Sequence, residues 1–144
     1  MLSYRHSYHA GNFADIIKHI ALVEILNHLT QKETPFEYID THCGAGLFNL
    51  GANDAQKLQE YKTGIAKLFG NKLPELSRYL ELVSSYNPRG KLEFYPGSPA
   101  VASCFLRPQD RAWIYELHPQ DYKWACSNMK SHKKIKVFCE DGLE

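Results

Sequence analysis

The feature that most constrains the fold is a repeated order of apolar strand, carboxylate and helix. Three apolar runs end in an acidic residue: "FEYID" at Asp40, "AWIYE" at Glu116 and "KIKVFCED" at Asp141. Helical patterns precede the first run and separate the others. This alternation predicts a parallel α/β sheet with right-handed crossovers. Because ligands bind beyond the carboxyl ends of such strands, the three acidic ends mark the expected site.

The spacing of apolar residues predicts the helices. In residues 12 to 30 Asn12 is a good N-cap, and one face carries apolar residues three and four apart: Phe13, Ile16, Ile17, Ile20, Val23 and Leu26. Residues 47 to 87 predict two more helices, and "KLEFY" predicts a strand. Ser98 is the predicted cap of a short helix beginning at Pro99, and a last helix is predicted from Pro119 to Lys130.

The chain of 144 residues has the size of one domain. We divide it into three segments. Residues 1–46 hold the first helix, first strand and glycine-rich loop, and 47–93 form an inserted helical subdomain. Residues 94–144 continue the main domain with its second and third strands.

Composition excludes several classes of protein. With 17 Lys and Arg against 16 Asp and Glu, the net charge of +1 creates no global field for nucleic acid. Charged residues interrupt the apolar stretches, so we expect no membrane partner. The four scattered cysteines and the lack of a secretory signal favour a reducing cytoplasm. We expect no metal site, because the histidines and cysteines have no metal-ligand spacing, and a monomer is the default expectation.

Each strand end has a ligand-binding and a purely structural interpretation. Gly44 and Gly46 allow close backbone approach to a ligand, although the third glycine of a dinucleotide fingerprint is replaced by Asn49, and a tight turn alone also explains them. Glu116 is suited to bind ribose hydroxyls or to be a solvated strand end. Asp141 and Gly142 are suited to an adenine amine and ring, or to an ordinary turn. Together the three ends favour an adenosine-bearing ligand.

The ligand is best matched by S-adenosylmethionine. The chain has no phosphate-binding loop, and S-adenosylmethionine has no phosphate. We call the turn that contains Gly44 and Gly46 the glycine corner. The helix beginning near Ser98 should have its N-terminus close to this corner, where it is suited to receive a carboxylate.

The chain also resembles a known family over its whole length. The segments "MLSYRHSYHAGNFADIIKH", "YIDTHCGAG", "YPGSPAVA", "ELHPQDY" and "EDG" are similar to those of bacterial 23S ribosomal RNA adenine N6-methyltransferases, historically also described as proteins for catabolism of external DNA. The resemblance implies a Rossmann-like class I S-adenosylmethionine-dependent methyltransferase fold with a helical insertion, and 23S rRNA as partner.

The resemblance also implies roles for individual residues. The implied cofactor contacts, together with the two glycines of the corner, are His19, His42, Gly44, Gly46, Ser98, Glu116, Asp141 and Gly142. Tyr4, His6 and Lys18 are implied to lie on the side of the RNA substrate. The aromatic and basic residues near the N-terminus are of the kind that stack on a base and neutralise phosphate.

One element of the resembled family is missing. Its catalytic motif, Asp-Pro-Pro-Tyr, occurs nowhere in these 144 residues, so we expect no catalytic residue here and an inactive chain. We interpret the chain as the N-terminal half of a longer protein, since its sheet would keep an open edge. The alternatives are a protein that handles external DNA without methyl transfer and, less favoured, a nucleotide-dependent oxidoreductase.

Overall fold

The computed structural model describes residues 4 to 144. The helices are α1 (Phe13–Leu29), α2 (Asn53–Leu58), α3 (Ile65–Leu68), α4 (Ser77–Ser85), α5 (Ser98–Ser103) and α6 (Pro119–Asn128). The strands are β1 (Glu37–Asp40), β2 (Leu47–Asn49), β3 (Phe94–Pro96), β4 (Arg111–Tyr115) and β5 (Ile135–Phe138). Short 3-10 turns cover His6–Tyr8, Glu60–Thr63 and Pro74–Leu76.

The main sheet is parallel, as the alternation of strands and helices predicts. Its order is β1-β4-β5, and in this register Asp40 pairs with Ile114 and Tyr115 with Phe138. All three acidic residues therefore lie at the carboxyl ends of the strands, on the same edge of the sheet. Asp40 is the last residue of β1, Glu116 directly follows β4, and Asp141 lies three residues after β5.

Helix α1 begins as predicted, and its predicted apolar face is buried in part. The Asn12 side chain caps it by accepting a hydrogen bond of 2.9 Å from the Asp15 backbone. The buried positions are Asp15, Ile16, His19, Val23 and Leu26. Three of these are apolar residues of the predicted face, whereas Phe13 and Ile17 of that face are 71% and 66% exposed. The face that packs on α4 and α5 is therefore shifted, so that it includes a histidine and an aspartate.

The prediction of helix from Leu47 onward is wrong for its first residues. Leu47–Asn49 is a strand that pairs antiparallel with Phe94–Pro96 in a separate two-stranded sheet, with Phe48 opposite Tyr95. The predicted strand "KLEFY" therefore begins later and lies outside the main sheet. Both strands are three residues long, too short for an alternating pattern to show in the sequence.

The first predicted helix of the insertion is also interrupted. Gln59 has a left-handed backbone (φ 53°), and a 3-10 turn separates α2 from α3. A side chain at Gly64 would place its Cβ 2.1 Å from the Gly11 carbonyl oxygen, and the Ile65 N–H donates to that oxygen at 2.9 Å. The N-terminal segment therefore packs at the break in the helix. The division into three segments stays a prediction.

Two helix ends differ from prediction. Gly97 occupies the N-cap of α5, while Ser98 is its first helical residue and turns its hydroxyl away to Asp40. Helix α6 ends at Asn128, two residues early, where the Asn128 side chain donates to the Ala45 carbonyl at 2.7 Å. No helix among residues 4–144 is long and apolar enough to cross a membrane.

Candidate functional site

A cavity of about 500 Å³ lies at the edge of the sheet where the three acidic residues converge. The loops after β1, β4 and β5 form one side, and α1 with the start of α5 forms the other. Ten of the eleven predicted site residues line it: Tyr4, His6, Lys18, His19, His42, Gly44, Ser98, Glu116, Asp141 and Gly142. The structure therefore gathers residues that the sequence separates by more than a hundred positions.

Gly46 is the predicted site residue that does not line this cavity. It has a left-handed backbone (φ 82°), and its carbonyl accepts a hydrogen bond of 2.9 Å from the Gly97 backbone. A Cβ at Gly46 would lie 3.3 Å from the Met129 side chain. Gly46 thus shapes the turn and lets α5 and α6 approach it.

Asp40 organises the glycine corner. Its carboxylate accepts hydrogen bonds from the Tyr38 hydroxyl at 2.8 Å, from the His42 backbone at 3.1 Å and from the Ser98 hydroxyl. These contacts tie the end of β1 to the first residue of α5. The sequence predicts that Asp40 ends a strand, but it does not indicate that Asp40 connects this strand to α5.

Glu116 links the corner to the loop after β4. One carboxylate oxygen accepts from the Gly44 backbone at 3.0 Å, and the other accepts from the His118 backbone at 2.7 Å. A carboxylate has about four lone-pair positions, so each oxygen keeps one for a further donor. Glu116 is therefore held in place by the protein and still able to accept from a ligand.

The loop after β5 lies directly against the end of β1. One Asp141 oxygen accepts from the Leu143 backbone at 2.9 Å. A Cβ at Gly142 would be 2.7 Å from the Thr41 Cα, closer than real Cβ atoms approach. A glycine is therefore required for this contact between the two strand ends.

The three predicted substrate-side residues meet through Asp15. The His6 Nε2–H donates to the Asp15 carboxylate at 2.7 Å, and the Lys18 Nζ lies 3.4 Å from it. The Tyr4 hydroxyl lies 2.8 Å from His6 Nδ1. Burial raises the pKa of Asp15, but the hydrogen bond and charge of His6 outweigh it, and the pKa lies below its usual value. Asp15 is fully buried, and sequence reasoning missed its role.

The N-terminal segment is held over the cavity by ion pairs that the sequence does not reveal. Arg5 contacts Asp54 at 3.1 Å and Asp121 at 3.4 Å, and His9 contacts Glu60 at 3.0 Å. Asp54 lies on α2, Glu60 begins the 3-10 turn that follows it, and Asp121 lies on α6. These pairs position Tyr4 and His6 at the cavity.

His19 is buried inside the cavity wall with 1% of its surface exposed. Its Nδ1 lies 2.6 Å from the Tyr95 hydroxyl. Burial lowers the pKa of His19 to about 4, so the ring is neutral near pH 7. Its Nε2 is buried and has no hydrogen-bond partner among residues 4–144, and the same is true of His118 Nδ1 in the same cavity wall. A buried nitrogen of this kind requires a hydrogen-bond partner from outside the described residues, such as a bound ligand or an ordered water.

In the part of the chain that the structure describes, no group of three or more His, Cys, Asp or Glu residues is arranged to hold a metal ion.

Comparison with known proteins places the chain in a family. Residues 33–144 match the family model described as "Ribosomal RNA large subunit methyltransferase D, RlmJ". The chain belongs to the RlmJ family. This confirms the family that the sequence motifs indicate, a family of rRNA methyltransferases.

Individual RlmJ relatives extend this result. Two proteins named "Ribosomal RNA large subunit methyltransferase J" match all of the chain: that of Haemophilus influenzae at 46% identity and that of Escherichia coli K12 at 44%. The chain spans 52% of the length of each. A crystal structure of a Legionella pneumophila protein matches 93% of the chain at 38% identity with a TM-score of 0.84, covering 50% of that structure. The predicted α/β fold with a parallel sheet is confirmed.

Proposed function

We propose that the protein to which these residues belong transfers a methyl group from S-adenosylmethionine to the N6 amine of an adenine in 23S ribosomal RNA, in the cytoplasm. The observation that carries the proposal is the cavity at the carboxyl edge of the sheet, which gathers seven of the eight predicted cofactor residues in a member of a methyltransferase family. The two relatives named as rRNA methyltransferases support the substrate.

The residues of the cavity fit the cofactor in three parts. At the adenine end, one Asp141 carboxylate oxygen has no hydrogen-bond partner among residues 4–144, and Gly142 leaves room beside Thr41. Between the ends, Glu116 is placed to accept from ribose hydroxyls. The two unsatisfied ring nitrogens, of His19 and His118, supply further polar contacts.

The amino-acid end of the cofactor is assigned to the glycine corner. Gly44 lines the cavity there, beside His42 and Ser98, and Gly46 holds the turn. His42 is partly committed, because its Nδ1 lies 2.8 Å from the Thr41 hydroxyl. Its other ring nitrogen remains for a carboxylate.

The bound cofactor would supply an electrophilic methyl group on a sulfonium. The chain's own residues bind and orient it, and the cluster of Tyr4, His6 and Lys18 around Asp15 forms the proposed RNA side of the cavity. The target base has to leave its stack to reach this site. We assign the proton of the target amine to no residue of this chain, because no Asp-Pro-Pro-Tyr motif occurs in it.

The adenine assignment is tested by exchanging hydrogen-bond polarity at residue 141. In Asp141→Asn the remaining oxygen can still accept from the Leu143 backbone, while the new NH2 opposes the adenine amine. Calorimetry on the full-length protein should show weaker binding of S-adenosylhomocysteine. S-inosylhomocysteine, which carries an oxygen in place of that amine, should bind the variant better than it binds the natural protein.

Glu144→Gln is the matched control, because Glu144 is a nearby exposed carboxylate that does not line the cavity. It should bind both ligands like the natural protein. Binding of neither ligand by the natural protein would reject the proposed cofactor. RNA or DNA binding that S-adenosylhomocysteine leaves unchanged would then favour the nucleic-acid-handling alternative.

A further inference from the structure

Three buried side chains form a continuous hydrogen-bonded row that ends in the cavity. The Tyr79 hydroxyl lies 3.0 Å from the Tyr95 hydroxyl, which lies 2.6 Å from His19 Nδ1. The three residues are 2%, 0% and 1% exposed, respectively. Water therefore does not compete for these groups.

The protons of this row can be placed in two ways. In the first, Tyr79 donates to Tyr95, Tyr95 donates to His19 Nδ1, and every hydroxyl proton has an acceptor. In the second, His19 Nδ1–H donates to Tyr95 and Tyr95 donates to Tyr79. The Tyr79 proton then has no acceptor among the residues that the structure describes, since Tyr95 is its one recorded partner.

Each arrangement leaves one buried donor without a partner among residues 4–144: the His19 Nε2–H in the first and the Tyr79 hydroxyl in the second. His19 lines the cavity, where a ligand can supply an acceptor, whereas Tyr79 does not line it. With an acceptor bound in the cavity the first arrangement is favoured, because an unsatisfied buried donor is costly. Burial raises the pKa of both tyrosines, so both hydroxyls keep their protons. Burial also lowers the pKa of His19 to about 4, so its ring carries one proton near pH 7. With Nδ1 accepting from Tyr95, that proton has to lie on Nε2.

We propose that Tyr95 and Tyr79 are positioning residues that hold His19 in the Nε2–H tautomer, so that this N–H is presented as a donor to the carboxylate at the amino-acid end of the cofactor. The inference rests on the proposed function for its ligand, and the tautomer follows from the hydrogen-bonded row together with an acceptor bound in the cavity. On this inference the unsatisfied Nε2 of His19 is a hydrogen-bond donor and not an acceptor.

The amino-acid end is chosen because of the packing of α1, which carries His19. Helix α1 packs against α5. The first residue of α5 is Ser98, whose hydroxyl donates to Asp40 at the glycine corner. His19 therefore belongs to the glycine-corner end of the cavity.

The row also connects the cavity to the predicted insertion. Tyr79 lies on α4 and Tyr95 on β3, whereas His19 lies on α1. The structural consequence is that residues far from the strand ends decide the hydrogen-bonding direction of a cavity nitrogen.

The tautomer is tested directly by nitrogen NMR on the full-length protein with isotope-labelled histidine, the His19 signals being assigned by their loss in His19→Asn. In the complex with S-adenosylhomocysteine we expect Nε2 to show the signal of a protonated imidazole nitrogen and Nδ1 that of an unprotonated one. The opposite pattern in this complex of the natural protein would overturn the inference. The measurement needs no catalytic activity.

The ligand role is tested with Tyr95→Phe, which removes one hydroxyl and little volume. Tyr86→Phe is the matched control, because it also removes a tyrosine hydroxyl that makes a hydrogen bond inside the protein. The part-buried Tyr86 hydroxyl donates to the Ala100 carbonyl at 3.1 Å. Tyr95→Phe should weaken S-adenosylhomocysteine about ten- to a hundredfold, the loss expected for a hydrogen bond to a charged group. It should leave 5′-methylthioadenosine, which has no carboxylate, nearly unchanged.

Equal weakening of both ligands by Tyr95→Phe would mean that Tyr95 acts only through packing, and the positioning role would be rejected. No binding of S-adenosylhomocysteine to the natural protein would reject the proposed function and the ligand part of this inference. The opposite tautomer in a complex that does form would reject this inference alone, so the two failures are distinguishable.

Discussion

Lowering the pH from 7 to 4 should destabilise the protein mainly through one buried residue, His19. Its pKa is lowered from 6.5 to about 4 by burial, against the favourable charges of Asp15 and Asp40. In the unfolded chain His19 takes up a proton as the pH falls through 6.5, but in the folded chain it does so only near pH 4. Unfolding is therefore increasingly favoured across this window.

The size of the effect follows from the pKa difference. A difference of about 2.5 units between 6.5 and about 4 corresponds to about 3 kcal/mol of the free energy of unfolding, lost at up to about 1.4 kcal/mol per pH unit. Asp15 and Asp110, whose pKa values are lowered, lose their contributions below their ordinary value of 3.8, outside this window. The pKa of Glu60 is lowered from 4.5, so its contribution begins to fall at the acidic end of the window, but Glu60 is present in both proteins compared below and its effect cancels.

The assay is urea denaturation of the full-length protein at several pH values between 7 and 4, beside His19→Asn. The asparagine can still accept from Tyr95 but does not titrate in this range. We expect the natural protein to lose about 3 kcal/mol more than the variant between pH 7 and pH 4. Parallel pH profiles of the two proteins would refute the burial argument, because His19 would then titrate alike in both states.

Three further predictions concern close contacts around the cavity. Gly142→Ala should lower the free energy of unfolding by about 1–3 kcal/mol and weaken the binding of S-adenosylhomocysteine, because its Cβ would meet the Thr41 backbone at 2.7 Å. Denaturation and calorimetry measure the two effects. The control Gly51→Ala should show neither effect, because its Cβ would meet only the movable Asn49 side chain, at 3.3 Å. Asp15→Asn should lower the free energy of unfolding by about 1–3 kcal/mol at pH 7, because it weakens the contact with His6. This difference from the natural protein should disappear as the pH falls below 3.8 and through the folded pKa of Asp15. In the same urea titrations, Glu75→Gln, a change at an exposed carboxylate, should show no such pH-dependent difference. Gly64→Ala should release the N-terminal segment, since its Cβ would lie 2.1 Å from the Gly11 carbonyl oxygen; faster amide hydrogen exchange over residues 5–12 is expected, and unchanged exchange would contradict the packing.

The elements that the sequence predicts well are those with local causes. The strand ends at Asp40 and Glu116 were predicted within a residue, because an apolar run followed by a carboxylate is a local signal. The start of α1 was predicted because Asn12 caps it with a contact three residues away. The break at Gly64 was missed, because its cause is Gly11, more than fifty residues earlier.

The candidate site shows the same division. Family-specific motifs name the cavity-lining residues, and the parallel sheet explains why Glu116 and Asp141 reach one edge. No local pattern indicates that Asp15 joins the substrate-side residues, since a polar residue on an apolar helix face has no sequence signal for its partners.

The sequence by itself determined the alternation of strands and helices in the main sheet, the carboxylate at each strand end and the membership of the family, because each depends on residues close together in the chain or on motifs read directly. Only the tertiary structure decided the pairing of β2 with β3 and the contact of His19 with Tyr95, which is 76 positions away. Such contacts are selected by burial, which leaves a polar group with the partners that packing brings to it and removes the alternative of water.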